Sequence, residues 1–252
     1  MLITQQALDL ISRDPEHPNK KSTVVYDPTW HKGVLGIVAS RMTETYYRPT
    51  IILTKSNGLI TGSARSVKDF DIYNAIDQCL DLLEHFGGHK YAAGLSIRPE
   101  NLDAFIERFD RIVSETIEDK MLIPEVGIDA KIKLNNISTK FFRILKQFAP
   151  FGPENMAPIF MTEGFVDTGY GCIVGKNHLK LSVIHPDISG FPVAGIAFQQ
   201  GEKLPLLQNG SPISICYHVE ENEWNGHVSL QLNIKDIRAD EESEYRGYGG
   251  LY

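Results

Sequence analysis

No stretch of about 18 consecutive apolar residues occurs in the 252-residue chain, so nothing in it reads as a membrane-spanning helix. Its opening, Met1-Leu2-Ile3-Thr4-Gln5-Gln6, lacks the basic-then-apolar pattern of a secretion signal. Cysteine is scarce: Cys79, Cys172 and Cys216 stand far apart, with no Cys-x-x-Cys pair. That spacing speaks against a disulfide framework or a zinc ribbon, and predicts three buried thiols in a reducing cytoplasm. Also missing are His-Glu-x-x-His, an Asp-His-His triplet, a Walker loop and a Gly-x-Ser-x-Gly elbow. The chain is therefore expected to hold no metal or cofactor of its own and no complete catalytic centre. Excess positive charge is absent too, since 25 Lys+Arg against 32 Asp+Glu leave a net charge of −7. Such a balance argues against coating nucleic acid by bulk electrostatics. Four of the acids, Asp240, Glu241, Glu242 and Glu244, sit near the end, so residues 121–239 carry 10 basic and 11 acidic groups. A near-neutral body of that kind can still present a basic groove.

What is present fits two domains, because 42% hydrophobic residues over this length support a core in each. A short helix-like stretch, Thr4 to Ser12, ends at Asp14-Pro15, and residues 1–22 are expected to be the remnant of a connecting helix. Val24-Val25-Tyr26 predicts a strand, and Val34, Ile37, Val38 and Met42 predict a helix over 34–46. Two strands turned at Ser56-Asn57-Gly58 follow. Ile72, Ala75, Ile76, Cys79, Leu83 and Phe86 then fall at helical spacing, predicting an amphipathic helix that Gly87-Gly88 stops. A strand over 92–97 and a helix carrying Leu102, Phe105, Ile106, Phe109, Ile112 and Val113 complete a mixed sheet covered by helices, residues 23–120.

Past Ile123-Pro124 the apolar period changes from helical to alternating, as in Leu179, Leu181, Val183 and in Ile213, Ile215, Tyr217, Val219. Val228, Leu230, Leu232 and Ile234 alternate likewise, predicting a hairpin turned at Asn225-Gly226. One helix capped by Ser138 carries Phe141, Ile144, Leu145 and Phe148. The fold expected is α+β: a mixed sheet domain followed by a small β-barrel over 121–239, with an acidic flexible tail at 240–252.

Four clusters carry chemistry. Gly87-Gly88-His89 followed by Ala92-Ala93-Gly94 reads either as a helix stop beside an exposed histidine, or as bare backbone amides and an imidazole offered to a phosphate. His85 lies four residues before His89, but the expected helix end between them denies the pair a shared face. Gly62-Ser63-Ala64-Arg65-Ser66 places a guanidinium between hydroxyls at a strand end, either solvated or forked onto phosphate. Trp30-His31-Lys32-Gly33 precedes a helix at the end of a strand, where ligands of α/β sheets gather, although the Trp itself reads as packing. In the barrel, Tyr170, Lys176, His178, Lys180 and Trp224 are either ordinary surface and core residues or the basic groove and stacking rings of a single-strand binder. Ala149-Pro150-Phe151-Gly152-Pro153-Glu154-Asn155 reads as a rigid structural turn.

Taken in order, Trp30 through Arg41, Arg48-Pro49-Thr50, Gly62 through Ser66, and Gly87-Gly88-His89 with Ala92-Ala93-Gly94 closely resemble the RecJ single-strand-specific exonuclease family. Pro150 through Asn155 and Gly175-Lys176-Asn177-His178-Leu179-Lys180 resemble its oligonucleotide-binding (OB) barrel, and the likeness covers Val24 to Arg238. The resemblance implies a cytoplasmic DNA repair and recombination nuclease that degrades single strands from the 5′ end with Mn²⁺ or Mg²⁺. In that family the metal sits in an N-terminal phosphoesterase domain with an Asp-His-His motif, which this sequence does not contain. The chain thus resembles a C-terminal fragment, inactive alone, partnered by single-stranded DNA, by the absent catalytic domain and by other repair proteins. The same likeness implies that Ser63, Arg65, Ser66, Gly87, Gly88 and His89, with His31, hold DNA phosphates. Two other functions remain open: part of a related phosphodiesterase for short oligonucleotides or cyclic dinucleotides, and a protein-interaction module.

Overall fold

The computed structural model describes residues 2–152, 154–186, 190–208 and 210–240, with the side chain of Trp224 excepted. Pro153 and residues 241–252, most of the expected acidic tail, lie outside the described residues. Two compact units divide at Pro124/Glu125.

The first unit contains α1 (Leu2–Ser12), β1 (Thr23–Tyr26), α2 (Leu35–Tyr46), β2 (Thr50–Ser56), β3 (Leu59–Arg65), α3 (Ile72–Asp77), β4 (Leu83–His89), β5 (Ala92–Ile97) and α4 (Leu102–Thr116). Its sheet runs β1-β2-β3-β5-β4, parallel only at β1–β2. β2 is buried along both faces, Ile51 and Leu53 turning toward one core and Ile52 toward another. On the first side lie Phe105, Phe109, Ile112 and Val113 of α4 with Ile72 and Ile76 of α3. On the second, Ala7 and Ile11 of α1 pack with Leu35, Val38, Ala39 and Met42 of α2 around Trp30. The first helix is thus part of this core. Trp30 is buried, as its packing role required, and its indole N–H donates to Gln6 Oε1 at 3.0 Å. Asn57 and Gly58, at φ 54° and 82°, supply the left-handed pair that a two-residue β2–β3 turn needs.

One element departs from the expected order. The helix beginning at Ile72 ends at Asp77, capped by Asp71, whose carboxylate accepts from Asn74 N. Residues 83–89 form an edge strand, and Gly87-Gly88 lie within it. The register slips between Leu83 and His85, a bulge that lets Leu83 and Phe86 face one core although three residues apart. A bulged strand therefore reproduced helical spacing.

The second unit contains β6 (Ala130–Lys131), α5 (Thr139–Leu145), β7 (Phe160–Asp167), β8 (Cys172–Val174), β9 (His178–Ile184), β10 (Val193–Ala197), α6 (Leu204–Gln208), β11 (Ile213–Trp224) and β12 (His227–Ala239). Pairings run β7-β11-β12-β10-β9 and return from β9 to β7, closing a five-stranded barrel. Inside lie Phe165, Leu179, Leu181, Val183, Ile215, Tyr217, Leu232 and Ile234. Tyr217 is fully buried and its hydroxyl lies 2.7 Å from Thr162 Oγ1; burial pushes its pKa to about 12. Ser138 caps α5 as expected, accepting from Phe141 N, although Ile144 and Phe148 remain exposed. Asn225-Gly226, at φ 50° and 78°, turn the β11–β12 hairpin. In the proline-rich turn, Asn155 Nδ2 donates to the carbonyls of Phe148 and Pro150, a structural role. Asp240 is tied to the barrel, its carboxylate accepting from Gly164 N and pairing with Ser214 Oγ.

Cys79 and Cys216 are buried, and burial raises both thiols, Cys79 to about 11. Cys172 is exposed, against expectation: β8 is a short flap paired on one side only, so both of its faces meet solvent.

Candidate nucleic-acid interface

Residues paired directly across antiparallel strands point to the same face. One row of the first sheet is Thr50, Arg65, Ala92 and His89, and the next is Ile52, Ser63, Gly94 and Gly87. A third row is Thr54, Thr61, Ser96 and His85. All three look toward the α2 side, since Ile52 belongs to the α2 core and a Cβ on Gly36 of α2 would meet Arg65 Nη2 at 2.9 Å and Ser63 Oγ at 3.4 Å. α2 packs over β2 and β3. Beyond it, His85, Gly87, His89 and Gly94 are exposed, leaving β5 and β4 open on this face.

At the step between covered and open halves stands Arg65. Its Nη1 donates to Ser63 Oγ at 3.1 Å and to the Ala64 carbonyl at 2.8 Å, which fixes the guanidinium, while Nη2 lies against Gly36. Gly36 is in the first turn of the 12-residue α2, which carries no acidic residue there. A 3-10 turn over Lys32–Val34 runs straight into α2, and Val34 N and Leu35 N already donate to the carbonyls of His31 and Lys32, so the group here that favours an anion is the guanidinium. His31 precedes that turn and accepts from Gly33 N through Nδ1 at 3.1 Å, so its ring proton belongs on Nε2.

His89, two strands from Arg65 and about 10 Å from it by strand spacing, is held as His31 is. Its Nδ1 accepts from Tyr91 N at 3.2 Å, leaving Nε2–H as a donor. The turn after it is anchored at both carbonyls, Lys90 O accepting from Ile72 N and Tyr91 O from Ser66 N. The imidazole is therefore carried by braced backbone.

The glycines divide into two kinds. A Cβ on Gly88 would lie 2.2 Å from Ala92 O, so packing demands that glycine. A Cβ on Gly87 would meet nothing within 4 Å, and one on Gly94 only Gly62 O at 3.9 Å. Neither has a left-handed φ. The fold needs no glycine at either position, yet they are paired neighbours, making a bare floor flanked by Ser63, Arg65 and His89.

Ser66 stands apart from this group: its hydroxyl donates to Phe70 O at 2.8 Å and holds the loop after β3. Arg48 is likewise structural, its guanidinium donating to the carbonyls of His17 and Lys20. His85, expected on a different face from His89, shares its face, because the segment is a strand.

In the barrel, Tyr170 is 78% exposed, and Lys176 and Lys180 are exposed. His178 is half-buried, accepts from Gln199 N through Nδ1, and packs edge-on against Phe198 at 5.2 Å. Phe198 and Phe191 are exposed aromatics flanking β10 that the sequence reading missed. Their signal was positional: each lies just outside the buried run of a short strand. The Trp224 side chain lies outside the described residues. Numbered along the chain, β7, β9, β10, β11 and β12 are barrel strands one to five, so His178 and Lys180 lie on strand two and Tyr170 and Lys176 in the connection before it. Those are the surfaces on which barrels of this topology bind oligonucleotides.

Residues 19–115 match the DHHA1 domain and residues 128–236 match the RecJ OB domain. Curated relatives agree along the chain: the single-stranded-DNA-specific exonuclease RecJ of Bacillus subtilis is 31% identical over 242 residues, 95% of this chain and 30% of its own length. The chain pairs a DHHA1 domain with a RecJ OB domain. The RecJ of Escherichia coli is 32% identical over 219 residues, 84% of this chain and 37% of its own. A crystal structure of RecJ from Thermus thermophilus in complex with Mn²⁺ superimposes with a TM-score of 0.75 at 27% identity, covering 94% of this chain and 33% of that one. A second RecJ structure from that source, with Mg²⁺, gives 0.73. The chain therefore spans about a third of the length of the relatives it matches. Its own residues do not fit such an ion: among the described residues no group of three or more His, Cys, Asp or Glu could hold a metal. No described helix is long and apolar enough to cross a membrane.

Proposed function

We propose that this chain grips single-stranded DNA as part of a 5′-to-3′ single-strand-specific exonuclease of DNA repair and recombination. The open sheet face of the first unit holds backbone phosphates, and the barrel holds unpaired bases on Tyr170, Phe198 and Phe191 beside Lys176 and Lys180. The carrying observation is the Gly87/Gly94 floor: two glycines that neither packing nor φ requires, flanked by Ser63, Arg65 and His89. A flat patch of backbone with donors at its borders admits a phosphate closely, and a side chain at either glycine would bar it. The Mn²⁺- or Mg²⁺-dependent cleavage belongs to a phosphoesterase domain elsewhere in the whole protein; the donors here position the phosphate and balance charge. A long single strand is favoured over a short oligonucleotide or cyclic dinucleotide by the exposed rings of the barrel, each able to stack a base for about 1–3 kcal/mol.

Titration of labelled single-stranded and duplex oligonucleotides at several salt concentrations tests this reading. The parent should prefer the single strand and weaken as salt rises, and Arg65→Ala and His89→Ala should each lose about 1–3 kcal/mol. Equal affinity for duplex, or no loss in either variant, would count against it.

A further inference from the structure

We infer that the open face binds two successive phosphates, the second at a row formed by Thr61, Ser96 and His85. The inference rests on the phosphate-binding reading of that face and adds a position to it. His85 and His89 occupy one edge strand four residues apart with Gly87 between them, and all three point to the α2 side. Counted from the bare floor at Gly87, which His89 and Arg65 flank, His85 lies two residues along the strand, about 6.8 Å away, a step comparable to that between neighbouring phosphates of an extended nucleic-acid chain. The strand thus offers a donor, a bare floor and a second donor in line.

The row at His85 has its own chemistry. Thr61 and Ser96 bring two hydroxyls across β3 and β5 to His85, which is exposed and makes no side-chain hydrogen bond among the described residues. The Ser96 hydroxyl is buried without any hydrogen-bond partner. With its hydroxyl out of reach of solvent, Ser96 backs the row, and the donors that a phosphate oxygen meets there are the Thr61 hydroxyl and the free His85 imidazole. The floor at Gly87 and Gly94 differs in having Arg65 at its border, whose charge-assisted fork binds phosphate more strongly than neutral donors do, so a lone phosphate goes there first.

The test uses the whole chain with thymidine 5′-monophosphate and the 5′-phosphorylated thymidine dinucleotide as probes, followed by histidine ring resonances in NMR titrations. The monophosphate should move His89 and leave His85 in place. The dinucleotide should move both and bind about tenfold more tightly, each further charge-assisted contact contributing on that scale. His85→Gln should abolish the dinucleotide's advantage while leaving monophosphate affinity and thermal unfolding unchanged. Retention of the full advantage in that variant, or a His85 ring that the dinucleotide does not move, would overturn the second position. If neither probe moved His89, the phosphate reading itself would fall, an outcome distinct from the loss of the His85 position alone.

Discussion

At the scale of single residues, the two kinds of glycine separate binding from folding. Gly88→Ala drives a Cβ to 2.2 Å from the Ala92 carbonyl, so unfolding should occur at clearly lower denaturant, by an amount in the upper range of single substitutions, about 3 kcal/mol. Gly87→Ala adds a methyl to open space: stability should hold and single-strand affinity should fall. Gly36→Ala sharpens the contrast. Alanine is the better helix former by about 1 kcal/mol, yet its Cβ would press Arg65 Nη2 from 2.9 Å. Urea midpoints should stay level or rise while oligonucleotide affinity drops several-fold; parallel changes in both would refute the role given to Arg65.

Among the elements, the segment joining α1 to β1 makes a pH-dependent clasp. His17 is buried, its Nε2 3.0 Å from Thr23 Oγ1 and its ring edge-on to Tyr46, while Arg48 holds the carbonyl of the same residue. Burial, and then the Arg48 charge, hold its pKa below 6.5. The unfolded chain therefore takes up the proton first as pH falls. Stability should be complete above pH 6.5 and decline as pH drops through the depressed folded value. Urea midpoints between pH 8 and pH 5 should show this slope, and His17→Gln should flatten it. The elements were unequally legible in the sequence. Hairpins at Asn57-Gly58 and Asn225-Gly226 were plain because the turn type demands those residues. β4 was hidden because its bulge set Leu83 and Phe86 three apart on one face, and the error removed His85 from consideration. Ser63, Arg65 and His89 were named from local chemistry and from likeness to the RecJ family. That they share a face depends on the order β3-β5-β4, which no local pattern records.

For the whole molecule, two separate cores predict that residues 1–124 and 125–252 each fold alone. Circular dichroism and cooperative urea unfolding of the two halves should show it; a half that stayed unstructured would contradict it. The division of labour proposed here also predicts that Arg65→Ala flattens the salt dependence of binding, whereas Tyr170→Ala with Phe198→Ala weakens binding and leaves that slope intact, because stacking releases no counterions. The single strand is held at one place above all, the bare floor of the first sheet. Backbone amide spectra of the whole chain titrated with an oligothymidylate test it most directly. Gly87 and Gly94 should shift with Ser63, while Gly58, in the distant β2–β3 turn, stays fixed. Saturable binding that left Gly87 and Gly94 unmoved would contradict the account.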